Sequence, residues 1–152
     1  MPILGGFAEL KSRLVGLTGQ VRLVFFAQTI NCASCLATRQ ILDGLSACSE
    51  QITLEEYDLL LDKSAVDEYK IERVPAVAIV GAEDSGIRFY GVPEGFELES
   101  MVEGVELASG QAHSLTDVTV ATVNALKQNI NLQVFVTQHD GHVAGRSVWR
   151  TN

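Results

Sequence analysis

The chain has 152 residues, of which 47% are hydrophobic, 20% are charged and only 3 are proline. This composition excludes an intrinsically disordered chain, and the length suits one domain, or one small domain plus part of another. The net charge of −8 and the lack of a Lys/Arg cluster disfavour nucleic acid and anionic membranes as partners, because the basic surface that binds phosphate is missing.

The sequence also shows no sign of membrane insertion or export. No apolar run approaches the roughly 18–20 residues of a membrane span. The first 14 residues lack a basic segment followed by an uninterrupted apolar core, so we predict no signal peptide. Three cysteines are too few for a disulfide framework and fit reduced thiols, which predicts a cytoplasmic protein.

Hydrophobic periodicity predicts an alternation of helices and strands through about residue 110. The first helical stripe ends at Gly19, and the nearly continuous apolar run after it is typical of a strand covered on both faces. In chain order we predict a helix over 7–17, a strand over 21–27, a helix over 37–48, a strand over 52–60, a helix over 64–71, strands over 74–81 and 86–92, and a helix over 98–105. This order predicts an α/β fold with a mixed central sheet flanked by helices.

Beyond residue 110 the pattern starts again. Thr116 and Asp117 open a helical stripe that runs through 123–130 and leads into LQVFVT at 132–137. This segment matches the strand at 23–27 in character and in its place after a helix, which predicts the helix and strand of a second, partial unit followed by an irregular tail. The two predicted units are 1–112 and 113–152.

Cys32 and Cys35 form a Cys-x-x-Cys motif between a predicted strand and a predicted helix. The free N–H groups of a first helical turn stabilise a thiolate on the first sulfur, and the second sulfur is near enough to close a disulfide. A zinc site needs two further Cys or His ligands, usually as a second close pair. The remaining candidates are Cys48, His113, His139 and His142. We therefore favour a redox pair over half of a zinc site or two small residues without chemistry, and we predict no metal.

The other candidate ligands have simpler interpretations. Cys48 lies on the apolar stripe of its helix, so we expect it to pack as a small hydrophobic side chain. The residues around His113 indicate a linker, and we expect His139 and His142 to belong to a solvated tail.

Three stretches match one known family: CASC at 32–35, RVPA at 73–76 and IRFYGVPEGFELESMVEGV at 87–105. On these the chain resembles the protein disulfide oxidoreductases of archaea and thermophilic bacteria, which are glutaredoxin-like proteins made of two tandem thioredoxin-fold units. The resemblance implies a thioredoxin-like fold, activity on protein disulfides and dithiols, no cofactor, and a thioredoxin-reductase-type flavoprotein as partner.

The resemblance also implies roles for individual residues. Pro75 would follow a cis peptide bond and face the cysteine pair, and the backbone of Val74 would bind an extended substrate like an added strand. The alternative is a trans proline that merely starts an edge strand. Cys32 would attack a protein disulfide and Cys35 would then release the reduced substrate. Three carboxylates remain open as the proton acceptor near the pair: Glu55, Glu56 and Asp58.

One departure from the family concerns the second unit. The family carries a second Cys-x-x-Cys after the strand that matches 132–137, whereas this chain has no cysteine there and ends at Asn152. We therefore expect a truncated second unit, and the codons permit a frameshift as one cause. Two alternative functions stay open: an electron-relay domain of a peroxidase system, and a non-catalytic peptide-binding module.

Overall fold

The structure is a computed structural model that describes residues 3–136, with side chains from residue 8 onward. Its helices are α1 (Ile3–Leu14), α2 (Cys35–Cys48), α3 (Lys63–Tyr69), α4 (Phe96–Ala108) and α5 (Asp117–Asn124). Its strands are β1 (Val21–Ala27), β2 (Ile52–Asp58), β3 (Ala76–Val80) and β4 (Asp84–Tyr90). The predicted order of elements through residue 110 is confirmed.

The four strands form one mixed sheet in the order β2-β1-β3-β4. β1 is parallel to β2, so that Ala27 pairs with Asp58 at the end of both strands. β3 is antiparallel to β1, with Ala76 opposite Phe26, and β4 is antiparallel to β3, with Tyr90 opposite Ala76. The ends of β1, β2 and β4 and the beginning of β3 therefore meet at one edge of the sheet, which we call the site edge.

Strand β1 is apolar at every position except Arg22 because helices cover both faces of the sheet. Leu23 and Phe25 pack into one cluster with side chains of α1, α2 and α4. Val24 and Phe26 point to the opposite face and pack with side chains of α3. Successive side chains of a strand point to opposite faces, so a central strand with helices on both sides needs apolar residues on both faces along its buried length.

Helix α2 joins the site edge to the core. Its buried stripe includes Leu42, which is 0% exposed, and Leu45, which is 1% exposed. At its last turn Cys48 is buried and its thiol donates to the carbonyl oxygen of Gly44 at 3.2 Å. Burial raises the pKa of the Cys48 thiol. The prediction that Cys48 packs as a small hydrophobic side chain is confirmed.

The predicted elements beyond residue 110 are correct only in part. The side chain of Thr116 accepts a hydrogen bond from the N–H of Thr119, which confirms the predicted helix start, but α5 ends at Asn124 and not near Ile130. The strand predicted at 132–137 is wrong over 132–136, where the chain is not in a strand.

The physical reason for both errors is the lack of a packing surface. The side chains of α5 are not buried, and the described segment that follows, 131–136, is almost entirely exposed. A strand forms only by hydrogen bonding to another strand, and among the described residues the sheet contains only the strands β2, β1, β3 and β4. The partial second unit stays a prediction, and His139 and His142 lie outside the described residues.

Membrane crossing requires a long helix that is apolar along its whole length. Within residues 3–136, no helix combines that length with that apolar character.

Candidate functional site

The two cysteines form a disulfide at the site edge. Cys35 is the first residue of α2, and its N–H donates to the carbonyl oxygen of Cys32 at 3.3 Å, with the two Cα atoms 5.4 Å apart. Cys32 is partly exposed, whereas Cys35 is only 8% exposed. Cys32 is therefore the cysteine that another protein can reach more easily, and Cys35 is the shielded one.

The first turn of α2 leaves a positive field next to the disulfide. Ser34 precedes the helix without capping it through its side chain, and the first turn contains no acidic residue. The N–H of Thr38 donates to the carbonyl oxygen of Ser34 at 3.1 Å, so the earlier N–H groups of the turn have no helical acceptor. Such groups favour negative charge nearby, and a thiolate at this end of the helix would be stabilised.

The peptide bond between Val74 and Pro75 is cis, as the resemblance implies, and the trans alternative is wrong. Pro75 is buried, and its carbonyl oxygen accepts the N–H of Gly91 at 3.0 Å, just beyond the end of β4. Val74 is partly buried and packs against the same apolar cluster as Cys32 and Val92. The structure therefore brings all four predicted site residues to one edge: Cys32, Cys35, Val74 and Pro75.

A groove of about 470 Å³ lies on the other side of the cysteine pair, between α2 and the end of β2. Its lining includes Cys35, Leu36, Arg39, Glu56, Asp58 and Leu61. Inside it, the guanidinium of Arg39 forms an ion pair with Glu56 at 2.5 Å. Cys35 therefore borders an open groove that also contains charged side chains.

The lining of the groove distinguishes the three carboxylates that the sequence offers as proton acceptors. Glu55 lies outside the groove lining and forms an ion pair with Arg22 at 3.0 Å. Asp58 accepts the N–H groups of Leu60 and Leu61, which turns the chain and ends β2 two residues before its predicted end. Glu56 is thus the carboxylate that shares the groove with Cys35 without being bound to backbone amides.

Two further residues of the site edge were missed by sequence reasoning. Arg39 follows Cys35 by four residues, so helical spacing alone places both on one face of α2. The guanidinium of Arg73 lies 4.1 Å from the ring centre of Tyr90. This second contact depends on the pairing of β3 with β4, which no local pattern reveals.

Glu97 lies in the first turn of α4, after Gly95, whose φ of 58° favours glycine. Its side chain is partly buried, and burial raises the pKa of this carboxyl from 4.5 to about 7. Between these two values the folded protein holds a proton that the unfolded chain has lost, so this residue makes stability fall as the pH rises, until the fall levels off above about 7.

We therefore expect Glu97→Gln to stabilise the protein at pH 8 by about 1–2 kcal/mol, a value reduced for the solvent that reaches the side chain, and to have little effect at pH 4.5. The measurement is urea unfolding of both proteins at the two pH values. Glu94→Gln, which removes the same charge from an exposed side chain of the preceding loop, is the control. An equal gain at both pH values would contradict the assignment.

Metal ligation requires several donor side chains that converge on one point. Over residues 3–136, no group of three or more His, Cys, Asp and Glu side chains is arranged to hold a metal ion.

Comparison with known proteins identifies the fold. No family model and no curated protein matches the chain. Among solved structures, it is similar to a protein disulfide oxidoreductase from Aeropyrum pernix, with 26% identity over 82% of this chain and 55% of that chain and a TM-score of 0.73. It is also similar to a mutant of the alkylhydroperoxide reductase subunit AhpF from Enterococcus faecalis, with 24% identity over 82% of this chain and 61% of that chain and a TM-score of 0.75.

A third similarity is to a thioredoxin variant from Halobacterium salinarum, with 16% identity over 70% of this chain and 88% of that chain and a TM-score of 0.50. The chain thus spans little more than half the length of the first two structures and most of a single thioredoxin. The fold is thioredoxin-like, as predicted. The chain therefore has the fold of thiol–disulfide oxidoreductases and carries, at the site edge, a Cys-x-x-Cys pair that can form a disulfide.

Proposed function

We propose that this protein is an enzyme that exchanges dithiols and disulfides with other proteins through Cys32 and Cys35. The observation that carries the proposal is the unequal exposure of the two linked cysteines, with Cys32 partly exposed and Cys35 only 8% exposed, at the site edge where Val74 and Pro75 also lie. An exposed nucleophile backed by a shielded second thiol suits a two-step exchange.

In the first step, the thiolate of Cys32 attacks one sulfur of a substrate disulfide. A new bond joins Cys32 to that sulfur, the substrate disulfide breaks, and the second substrate sulfur leaves as a thiolate and takes up a proton. The backbone at Val74 would hold the substrate chain in an extended form during the attack. The unneutralised first turn of α2 supports this step, because it favours the thiolate of the attacking sulfur.

In the second step, Cys35 loses its proton and attacks the sulfur of Cys32. The mixed disulfide breaks, the substrate leaves with two thiols, and the two cysteines remain as a disulfide. Glu56, which lines the groove that reaches Cys35, is the carboxylate that we propose to receive this proton, directly or through water. The reverse sequence inserts a disulfide into a dithiol substrate.

The enzyme's own disulfide must be reduced again after each round of substrate reduction. We propose a thioredoxin-reductase-type flavoprotein in the cytoplasm as the reductant. The similarity to an alkylhydroperoxide reductase is the reason to keep a relay to a peroxidase system as a second candidate.

We also propose that residues 113–152 begin a second thioredoxin-like unit. Helix α5 starts where that unit is expected to start, and apolar side chains around it are exposed, including Val118 at 77% and Phe135 at 83%. Side chains of this kind are normally covered in a complete domain.

The proposal is tested by Cys35→Ser, which removes only the second step. We expect the reduced variant to accumulate a covalent adduct with a disulfide-containing protein such as insulin, because no thiol remains at that position to displace the substrate from Cys32. Mass spectrometry under non-reducing conditions measures the adduct, and dithiothreitol should remove it.

The matched control is Cys32→Ser, which leaves the shielded Cys35 and should form much less adduct. The buried Cys48 is present in both variants and cancels from the comparison. An adduct that forms equally in the two variants, or in neither, would rule out Cys32 as the nucleophile.

A further inference from the structure

Arg73 stacks on an aromatic ring at the site edge. Its guanidinium carbon lies 4.1 Å from the ring centre of Tyr90, the last residue of β4. A guanidinium stacked on an aromatic face is attracted by the ring, by about 0.5–1 kcal/mol at an exposed site. Arg73 is an exposed residue, and an exposed side chain is usually free to move. The stack restricts the directions in which Arg73 can present its N–H groups.

Arg73 also differs from the other arginines in having no carboxylate partner. Within residues 8–136, each of the other arginines forms an ion pair, whereas Arg73 forms none with any described residue. The paired arginines are Arg13, Arg22, Arg39 and Arg88. Arg73 is thus the one arginine among these described residues whose N–H groups are free of a carboxylate and can bind one from another molecule.

The position of Arg73 indicates that such a carboxylate would belong to a bound substrate chain. Arg73 directly precedes Val74 and the cis bond to Pro75. Val74 packs on the cluster that includes Cys32 and also on the cluster of the opposite face of the sheet, where Tyr90 packs. A substrate chain bound along Val74 would carry its own cysteine over Cys32. Because consecutive residues of an extended chain are about 3.3 Å apart, the substrate residues next to that cysteine would lie within reach of Arg73.

We propose that Arg73 is a specificity-determining residue that binds a carboxylate beside the reactive cysteine of the substrate, and that Tyr90 positions it. The partner class is thus a protein segment with Asp or Glu within two residues of the cysteine that exchanges with Cys32. This inference rests on the proposed function, since it assumes a substrate chain at Val74. The planar guanidinium suits a carboxylate because it can donate two parallel hydrogen bonds.

The surroundings make the effect local. Glu72 precedes Arg73 and Glu94 follows the end of β4, and both are exposed and acidic, as is the chain as a whole. The overall field therefore repels an acidic substrate, and it does so most at low salt. At about 0.15 M salt the Debye length is about 8 Å, so the charges of distant residues are screened. The contact with Arg73 then determines whether an acidic or a neutral substrate reacts faster.

The experiment uses two short peptide dimers, each joined by one disulfide and differing only by Glu or Gln next to the cysteine. The second-order rate constant for their reduction by the reduced protein is measured at about 0.15 M salt. We expect the wild type to reduce the Glu dimer about threefold to fivefold faster, the range of an exposed ion pair. In Arg73→Gln this ratio should fall to one or below.

Three variants act as controls on the ratio. Arg22→Gln removes a guanidinium at the opposite end of β1 and should keep the wild-type ratio. Tyr90→Phe keeps the ring and should also keep the ratio, whereas Tyr90→Leu should lower it, because the guanidinium is no longer held. A purely structural role of Tyr90 would slow both dimers and leave the ratio unchanged.

The outcomes separate this inference from the function on which it rests. Equal rates for the two dimers in the wild type, or the same ratio in wild type and Arg73→Gln, would overturn the role of Arg73 and leave the oxidoreductase intact. If the wild type reduces neither dimer, nor insulin, the proposed function fails and the role of Arg73 fails with it.

Discussion

Replacement of Cys32 with serine should lower the rate of insulin reduction by about a thousandfold or more, because the sulfur that forms the mixed disulfide is gone. The loss should exceed that of any other single substitution outside the cysteine pair. The assay follows the precipitation of insulin with dithiothreitol as the reductant, with the variant and the wild type at equal concentration.

The matched control for this loss is Cys48→Ser, which also exchanges a thiol for a hydroxyl. Cys48 is buried at the far end of α2, so this variant should keep its activity if it folds. Insulin reduction by Cys32→Ser at the wild-type rate would contradict the catalytic proposal. If peptide binding then proved equal in the two proteins, the non-catalytic binding module would be the better description.

Leu42→Ala should lower the free energy of unfolding by about 3–4 kcal/mol, which is a large part of the stability of a small domain. Leu42 is 0% exposed and lies in the cluster that joins α1, α2 and α4 to the sheet, so the truncated side chain leaves a cavity that its neighbours fill only in part. Urea unfolding of the oxidised protein measures the change, and the slope of the free energy of unfolding against urea concentration should be the same in both proteins.

The same helix offers a matched control. Leu36 is 67% exposed on α2, and Leu36→Ala removes the same atoms from the surface, so it should change stability by no more than about 0.5 kcal/mol. Similar losses in the two variants would contradict the assignment of Leu42 to the core.

The first 110 residues could be predicted from the sequence because local pattern and tertiary structure agree there. The apolar run of β1 has the composition of a strand buried on two faces, and the structure places it between α2 and α3. Cys32 and Cys35 carry their own context, a strand before them and a helical stripe after them. The cis bond before Pro75 came from the resemblance and not from the residues alone.

The failures have physical causes of two kinds. The segment 132–136 has the composition of a strand but no packed surface against which to form one, and composition cannot supply a partner. The contact of Arg73 with Tyr90 depends on which strands pair and in which register. Similarly, the choice of Glu56 among three neighbouring carboxylates required the side chains on each face of β2.

The small separation of the two cysteines has a consequence for how the protein works. The disulfide closes a ring of only a few residues, with a sequence separation of 3, and a cross-link of this kind restricts an unfolded chain far less than one that closes a long loop. We therefore expect the strands and the packed helices to keep their arrangement when that bond is reduced. If the two cysteines act as proposed, oxidation and reduction would alternate on an unchanged framework, and turnover would be separated from folding.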